Sequence, residues 1–306
     1  MKKKKLREVI CWLTLVGYVS LAGCATVKND YTWNRNYNSV SQSERIRYII
    51  LHYTQEAEPG SLKILTQGQV SSHYLIGQVD KRGRPTLYQL VPESKAAWHA
   101  GISFWEKRVN LNDTSIGIEI VNEGCQEEKV PGELSRIGAC KAFEPEQMQA
   151  LSSLLKSLMR RYHVPPENVI GHGDIAPERK IDPGPAFPWK QLADQGLTIW
   201  PKEERVQFFL GTKDPKSLIP VGQLQTYLKA YGYKDIPQTG ILDVKTQQNI
   251  REFQMHFRNA DISGQPDAET LAIVQALVEQ KGISVPFSSF PVQGGELDKA
   301  TLKHVK

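Results

Sequence analysis

Three side chains that lie far apart in the chain have the types that bind a catalytic metal ion, namely His52, His172 and Asp182. Two imidazoles and a carboxylate suit zinc in softness and charge. A catalytic zinc site uses three protein ligands and leaves a fourth position open. Such a site acidifies a bound water and polarises a carbonyl, which is what hydrolysis of an amide near neutral pH requires. Each residue alone is weak support, because a single histidine at a strand end is more often a hydrogen-bonded residue than a ligand.

One acidic side chain in an apolar segment is the candidate for proton transfer. Glu119 lies within Ser115–Val121, which is otherwise almost entirely apolar. Desolvation in such a setting raises the pKa of a carboxyl group toward a range that is useful for proton transfer. We therefore expect Glu119 to take a proton from the attacking water and to pass it to the leaving nitrogen. The alternative is a carboxylate at a solvated edge of the sheet.

The segments that carry these residues alternate between strand and helix patterns. Arg45–Tyr53 is rich in isoleucine and tyrosine and predicts a strand with His52 at its end. Ser115–Val121 is apolar on both faces, which is typical of a strand at the centre of a sheet. The other predicted elements are a hairpin of His73–Asp80 with Thr86–Val91, helices over Glu146–His163 and Pro188–Leu197, and a short strand over Asn168–Gly171. The sequence thus predicts an α/β domain with a mixed central sheet flanked by helices.

The length of the chain and a change of pattern near residue 217 predict a second domain. Three short amphipathic helices predict that this domain is small and all-α, with Asp243 and Asp267 at positions that need N-caps. The preceding stretch is charged and contains Pro215, so we expect a linker there. The expected division is a signal peptide at 1–23, a tether at 24–43, the α/β domain at 44–200, the linker at 201–216, the three-helix domain at 217–281 and a loosely ordered tail at 282–306.

The N-terminus combines a basic stretch with a short apolar one. Lysines fill Lys2–Lys5, and the apolar stretch Val9–Leu21 is too short to span a bilayer comfortably, which predicts a signal peptide. Leu21–Cys24 resembles the bacterial lipobox, and this resemblance implies cleavage before Cys24 and a diacylglycerol on its thiol. By resemblance to sorted lipoproteins, Ala25 in place of Asp implies an anchor in the outer membrane, with the catalytic domain in the periplasm. A plain secretory signal with a chance cysteine is the alternative.

The charge balance argues against a nucleic-acid partner. The whole chain has a formal net charge of +5, but removal of residues 1–23 leaves 33 basic and 32 acidic side chains. Binding through phosphate neutralisation would show first as a basic surplus. We therefore expect no nucleic-acid partner.

Two of the four cysteines lie outside the N-terminal segment. Cys125 and Cys140 are expected to pair in an oxidising compartment, and closing a loop of about 15 residues contributes roughly 3 kcal/mol in the chain-entropy picture. The alternative is a pair of zinc thiolates, although structural zinc sites normally use cysteine pairs separated by about two to four residues.

Short motifs around the candidate residues resemble the type 2 N-acetylmuramoyl-L-alanine amidase family. The matching segments are Leu51–Thr54, Ser72–Ile76, Trp98–Gly101, Ser115–Glu119, Gly171–Pro177, Lys180 and Asp182–Gly184. They extend over about residues 44 to 200. The resemblance implies the zinc amidase fold, a zinc ion, and hydrolysis of the amide between N-acetylmuramic acid and L-alanine in peptidoglycan or muropeptides. With the lipobox and the second domain, the match is nearest to lipoprotein members of that family.

The resemblance also implies roles for individual residues. His52, His172 and Asp182 occupy the family's ligand positions, where many members have Cys instead of Asp182; a carboxylate is a harder ligand that leaves zinc suitable. Lys180 matches the second catalytic position, and its ammonium is expected to stabilise the oxyanion. His99 and His73 are candidate substrate-binding residues. His99 is expected to form a wall of the substrate groove, whereas His73 is more typical of a packed group behind it.

The C-terminal domain resembles the peptidoglycan-binding domain of cell-wall hydrolases, mostly at packing and turn positions. The matching residues are Leu224, Gln225, Tyr231–Tyr233, Gly240, Leu242, Asp243, Thr246, Phe253, Gln254 and Gly264. A peptidoglycan-recognition lipoprotein without catalysis is the alternative, but such relatives lose a zinc ligand and this chain has all three. A lipoprotein that only tethers the wall would leave Glu119 and Lys180 unexplained.

Overall fold

A computed structural model describes residues 31–285 of the chain. The segment up to Ser43 and the chain from Glu44 onwards are two separate units, and the described part of the first, residues 31–43, contains no helix or strand. The predicted signal peptide and Cys24 lie outside the described residues, as does the predicted tail beyond residue 285. Within residues 31–285, no helix has both the length and the apolar character needed to cross a bilayer.

Nine strands are described between residues 44 and 285, and five of them form the central sheet. In chain order the strands are β1 (Tyr48–Tyr53), β2 (Tyr74–Val79), β3 (Pro85–Gln89), β4 (Phe104–Trp105), β5 (Arg108–Val109), β6 (Ser115–Ile120), β7 (Cys125–Glu128), β8 (Arg136–Cys140) and β9 (Val169–Gly171). The central sheet has the order β3-β2-β6-β1-β9. Within this central sheet, only the β2–β3 pair is antiparallel. The predicted mixed sheet, the hairpin and the central position of β6 are therefore confirmed.

Eight α-helices are described in the same part of the chain, together with two short 3₁₀-helices, Leu111–Thr114 and Pro166–Asn168. The α-helices are α1 (Glu58–Gln67), α2 (Pro145–Tyr162), α3 (His172–Ile175), α4 (Trp189–Ala193), α5 (Glu203–Leu210), α6 (Val221–Tyr231), α7 (Val244–Phe257) and α8 (Ala268–Gln280). The prediction of the long helix α2 is confirmed to within one residue at each end. Helix α4 is shorter than the predicted Pro188–Leu197, and Pro188 precedes it as the N-cap.

Strand β1 is buried along its whole length because both faces of the sheet are covered. Ile49 and Leu51 face the apolar cluster that contains Leu151 and Leu155 of α2. The alternate residue Ile50 belongs to a second cluster, which includes Tyr231 and Phe253 of the C-terminal helices. Successive side chains on a strand point to opposite faces, so the helical domain supplies part of the layer that covers the second face.

Helices α6, α7 and α8 form the predicted three-helix domain. The Asp243 carboxylate accepts a hydrogen bond from the Thr246 backbone N–H, and Asp267 accepts one from Thr270. Both bonds satisfy an amide that has no partner within the first turn of its helix, so the two predicted N-caps are confirmed.

The structure differs from the sequence-based expectation in the segment 201–216. Instead of an extended linker, this segment contains helix α5, which packs against α8. Val206 and Leu210 are buried one helical turn apart, and the Arg205 guanidinium pairs with Glu279 of α8. The charged residues that suggested a linker are the solvent-facing side of this short amphipathic helix.

Candidate metal centre

The three candidate ligands meet at one edge of the central sheet. His52 is near the carboxyl end of β1, and His172 follows directly after the carboxyl end of β9 as the first residue of α3. Strands β1 and β9 are parallel neighbours, so their carboxyl ends lie at the same edge, which is where open α/β sheets bind ligands. Asp182 reaches this edge from the loop after α3, where the Gly173 N–H donates to the Asp182 carbonyl.

The facing atoms of these side chains form a small triangle. The distance between the Nδ1 atoms of His52 and His172 is 3.0 Å, and Asp182 Oδ2 lies 2.9 Å from the first and 3.1 Å from the second. All three side chains are buried. Ligand atoms of a tetrahedral zinc ion lie about 3.3 Å apart, so the observed separations are a few tenths of an ångström shorter than a loaded site requires. Two imidazole nitrogens and one carboxylate oxygen that converge on one point fit a divalent zinc ion.

Groups behind the two histidines hold their outer nitrogens. His172 Nε2 lies 3.2 Å from the Ala100 carbonyl oxygen, which can only accept, so Nε2 carries a proton and Nδ1 is the nitrogen that can bind a metal. His52 Nε2 lies 3.1 Å from His99 Nδ1, and His99 Nε2 lies 3.1 Å from the Ser115 hydroxyl. The Ser115 hydroxyl donates in turn to the Leu111 carbonyl. If the His52 and His99 rings each carry their proton on Nε2, every hydrogen bond in this series has one donor and one acceptor. His52 Nδ1 is then free to bind a metal.

Burial and mutual charge set the protonation states of the ligand set. Burial, and then the neighbouring His172, lowers the pKa of His52 to about 4, so its imidazole is neutral near pH 7. Burial alone would raise the pKa of Asp182, but His172 and His52 hold it well below the usual range of a carboxyl group. A neutral imidazole and an ionised carboxylate are the forms that bind zinc.

The two predicted catalytic residues both reach the cleft in front of the ligand triangle. This cleft has a volume of about 260 Å³ and is lined by Glu119, Lys180 and all three candidate ligands. Glu119 Oε2 is buried and has no hydrogen-bond partner among residues 31–285. Burial, and then the charge of Asp182, raises the pKa of Glu119 well above its ordinary value, as the sequence predicts for a carboxyl group in an apolar strand.

The two other predicted site histidines differ in their positions. His99 lines the cleft, but its ring nitrogens are engaged by His52 and Ser115, a supporting role that the sequence did not indicate. His73 does not line the cleft. Its Nδ1 accepts from the Gly117 N–H and its Nε2 donates to the Lys95 carbonyl, so a packed position replaces the candidate substrate-binding role.

Gly117 explains why the three histidines His52, His99 and His172 can lie close together at this edge of the sheet. A Cβ atom at position 117 would lie 2.4 Å from the His99 ring, so only glycine lets that ring approach the sheet. The Ser-Ile-Gly-Ile-Glu motif therefore provides the hydroxyl, the space and the carboxylate of the site within five residues. Of these three, only the Glu119 carboxylate was predicted from the sequence.

Further lining residues come from parts of the chain for which no site role was predicted. Ile64 of α1 and the exposed Val70 and Trp98 supply apolar surface to the cleft, while Arg179 and Lys129 supply positive charge. These residues were not predicted because nothing in the sequence around them distinguishes a cleft residue from any other surface residue.

The remaining cysteine pair lies close to this site. Cys125 and Cys140 are directly opposite each other on the β7–β8 hairpin and are joined by a disulfide bond. Cys125 belongs to a small apolar cluster with Tyr53, Ile181 and Met255, next to the loop that carries Asp182. These cysteines therefore form a disulfide that cross-links the two strands of the hairpin, and they are not zinc thiolates.

Two imidazoles and a carboxylate that line a polar cleft, with an unpartnered carboxyl group and a lysine in the same lining, form a candidate metal centre of the kind that hydrolases use. The profile of the N-acetylmuramoyl-L-alanine amidase family matches residues 42–185, and that of a peptidoglycan binding domain matches residues 220–274. The N-acetylmuramoyl-L-alanine amidase AmiD from Escherichia coli K12 is 43% identical over 278 residues, which cover 89% of this chain and 98% of that protein. The chain belongs to the N-acetylmuramoyl-L-alanine amidase family.

Other relatives agree with this assignment. The 1,6-anhydro-N-acetylmuramyl-L-alanine amidase AmpD from Enterobacter cloacae is 42% identical over 117 residues, which are 38% of this chain and 54% of that protein. The structure of E. coli AmiD in complex with the substrate anhydro-N-acetylmuramic acid-L-Ala-D-γ-Glu-L-Lys superimposes with a TM-score of 0.75, 44% identity, and coverage of 83% of this chain and 97% of that one. The structure of AmpDh3 from Pseudomonas aeruginosa in complex with an anhydromuramic pentapeptide superimposes with a TM-score of 0.72 and 37% identity. The match covers 82% of this chain and 98% of that one.

Proposed function

We propose that this protein hydrolyses the amide bond between N-acetylmuramic acid and L-alanine in peptidoglycan or in muropeptides released from it, with zinc as its metal. The observation that carries this proposal is the complete triangle of His52, His172 and Asp182 in the lining of a cleft. The similarity to amidases along almost the whole chain supports the substrate class. A recognition protein without catalysis is disfavoured because none of the three ligand positions is lost.

Zinc bound by the three ligands would acidify a water molecule and polarise the scissile carbonyl. Glu119 accepts a proton from the water as its oxygen forms a bond to the carbonyl carbon. The same side chain returns that proton to the nitrogen as the C–N bond breaks. Lys180 lines the same cleft, and its role is to stabilise, through its ammonium, the negative charge that develops on the carbonyl oxygen. The products are the carboxylic acid of N-acetylmuramic acid, which then releases its remaining proton to solvent and becomes a carboxylate, and a peptide with a free L-alanine amine.

The residues behind the ligands contribute by orientation. The Ala100 carbonyl and the His99 ring fix the rotation of the two ligand imidazoles, so that both Nδ1 atoms point at one position. Preorganisation of this kind removes part of the free energy that would otherwise be spent on ordering the ligands during binding.

Mass analysis of digested substrate tests the proposed reaction. The zinc-loaded chain is expected to convert anhydro-N-acetylmuramic acid tripeptide into the free sugar acid and a tripeptide that begins with L-alanine. His172→Ala is expected to remain folded and to release neither product. Cleavage at a bond other than the sugar–peptide amide, or full activity of His172→Ala, would contradict the proposal.

For the location of the protein, we propose a lipid anchor on Cys24 in the outer membrane, with the catalytic domain in the periplasm. The lipobox-like segment Leu21–Cys24 and the absence of Asp at position 25 support this. Cys24→Ser is expected to move the protein from the membrane fraction to the soluble periplasmic fraction while activity on muropeptides is retained. A Cys24→Ser protein that still sediments with outer membranes would rule the anchor out.

A further inference from the structure

A buried carboxylate next to a candidate ligand receives hydrogen bonds from both domains. Asp174 is two residues after His172, and its Oδ2 accepts from the Gly171 N–H and from His256 Nδ1, both at 2.8 Å. Its Oδ1 accepts from the Tyr233 hydroxyl. Tyr233 and His256 belong to the C-terminal helical domain, so two of the three donors to Asp174 come from outside the α/β domain.

A second contact fills the space behind the same turn. Glu252 of α7 packs so closely against Gly173 that a Cβ atom at position 173 would lie 2.1 Å from Glu252 Oε2. The Gly173 N–H donates to the Asp182 carbonyl at 2.8 Å, which links the backbones of two ligand segments. Helix α7 therefore limits the movement of both segments from behind.

The His256 ring is itself held on its two faces. It stacks on Trp189 of α4 with 3.8 Å between ring centroids and on Phe257 with 3.9 Å. Trp189 is buried in the α/β domain. The orientation that aims Nδ1 at Asp174 is therefore fixed by residues of both domains.

These contacts have a direct consequence for the ligand His172. Helix α3 has only four residues, too few to be stable by itself, so its position depends on its surroundings. The bond from the Gly171 N–H to Asp174 closes this turn, and the donors from the helical domain determine where the Asp174 carboxylate lies. Removal of one donor leaves a buried carboxylate under-satisfied, which favours rearrangement of the turn.

We propose that the helical domain is a structural part of the metal centre: His256 and Tyr233 are positioning residues that hold Asp174 and, through it, the turn that presents His172. This inference rests on the proposed zinc function and adds a second role to a domain whose family is described by peptidoglycan binding alone. It applies to the intact chain, in which both domains share one apolar cluster.

Zinc affinity of full-length variants tests this inference, measured by competition with a chromophoric chelator. His256→Phe keeps a ring between Trp189 and Phe257 but removes the donor, and we expect a zinc affinity about 10- to 100-fold weaker, the usual effect of losing a group that supports a ligand. His256→Asn restores an amide donor near the position of Nδ1 and should recover part of the affinity. Tyr233→Phe removes the other donor with a smaller change of shape and carries the same test if His256→Phe does not fold.

The matched control is Gln225→Met, in the same domain. Gln225 is fully buried and bonds to Gly240, Ile241 and Thr246, without contact to the ligand segments. We expect this variant to lower the unfolding temperature while zinc affinity stays at the parent value. At saturating zinc, His256→Phe should regain most of the parent kcat with an unchanged KM.

Two outcomes overturn the inference alone: a folded His256→Phe protein that binds zinc as tightly as the parent, or a Gln225→Met protein that loses zinc affinity to the same extent. A parent chain that binds no zinc overturns the proposed function and this inference together. The two failures are therefore distinguishable in one set of measurements.

Discussion

Glu119 and His52 are paired neighbours in the register of β6 and β1. Residues in register on neighbouring strands project from the same face of a sheet, so the proposed proton acceptor stands beside a candidate metal ligand. The Glu119 Oε2 atom has no hydrogen-bond partner in the described part of the chain, which leaves it available to a water molecule in the cleft. A buried carboxyl oxygen without a protein partner calls for an explanation, and a catalytic role is one of those that native structures show.

Replacement of this carboxylate separates catalysis from metal binding. Glu119→Gln preserves the shape of the side chain but cannot accept a proton, so we expect kcat to fall by about 10²- to 10⁴-fold while one zinc per chain is still bound. Steady-state kinetics on anhydro-muropeptide and elemental analysis provide the two measurements. Glu123→Gln, at an exposed position of the same stretch, is the control and should keep parent activity. A Glu119→Gln enzyme with more than about a tenth of the parent rate would remove Glu119 from the mechanism.

His99 is expected to act on the metal site and not on the substrate. His99→Leu keeps a similar volume but deprives His52 Nε2 of its partner, so we expect zinc affinity to fall by about 10- to 100-fold. Chelator competition measures this loss. His163→Asn is a suitable control because His163 has a left-handed conformation at the end of α2, which asparagine tolerates, and it contacts none of the ligands. Unchanged zinc affinity in His99→Leu would assign His99 to the substrate side instead.

The residues of the site that were predicted are recognisable from short sequence motifs, whereas the others can be identified only from contacts in the folded structure. Ligand types such as His172 and Asp182 are recognisable from short motifs, because the chemistry demands those side chains at fixed offsets. The role of His99 depends on which nitrogen of His52 faces the metal position, and that follows only from the three-dimensional arrangement. The same holds for Gly117, whose importance is a distance to another ring.

At the scale of elements, the Glu93 carboxylate connects the segment after β3 to helix α2. It accepts hydrogen bonds from the Tyr74 and Tyr162 hydroxyls and from the Arg161 guanidinium. Burial opposes ionisation, but these donors together lower the pKa of Glu93 below its ordinary value.

This lowered pKa predicts a pH-dependent contribution to stability. A group whose folded-state pKa is depressed stabilises the fold at pH values above its unfolded pKa, about 4.3, and that stabilisation is lost as the pH falls through the folded-state value. Glu93→Gln is expected to lower the free energy of unfolding by about 1 kcal/mol at pH 7, with a difference from the parent that shrinks toward zero in acid. Urea unfolding at a series of pH values measures this. A difference that is constant with pH would show that the charge of Glu93 is not involved.

Helix α5 was missed because eight residues with two buried positions leave little periodic signal in a charged segment. Its packing gives a direct prediction: Leu210→Ala is expected to cost about 2–5 kcal/mol of unfolding free energy, whereas Phe208→Ala, at an exposed position of the same helix, should stay within about 0.5 kcal/mol of the parent. Urea unfolding of both variants decides the point. Equal, small effects would mean that residues 201–216 behave as a linker in solution.

Regular patterns explain which elements were predictable. The 18-residue helix α2 and the strands β1 and β6 have strong periodicity or continuous apolar runs, and their predictions hold to within a few residues. The hairpins β4–β5 and β7–β8 have strands of two to five residues, which are set by contacts with the rest of the fold. Helix α1 begins after Ala57 without a side-chain cap, and although Glu58 and Pro59 stand in its first turn, it was not predicted from the sequence.

At the scale of the whole molecule, the α/β domain and the helical domain are not independent folding units. Ile50 and Ile170 of the central sheet share one apolar cluster with Tyr231 and Phe253 of the helical domain. Burial of such side chains contributes about 1.5–3 kcal/mol each, so separation of the domains would expose a large part of the core. Contacts such as Asp174 with His256 join residues far apart in the chain and leave no local pattern, which is why the sequence indicated two independent domains.

The requirement for one metal ion is the central claim, and a titration of the metal-free full-length chain with zinc tests it most directly. The release of L-alanine-terminated peptide from anhydro-muropeptide is followed after each addition. We predict no release without metal and a rise that ends sharply at one equivalent of zinc, with no response in His172→Ala. Full peptide release by the metal-free chain, or a response that persists in His172→Ala, would contradict the account.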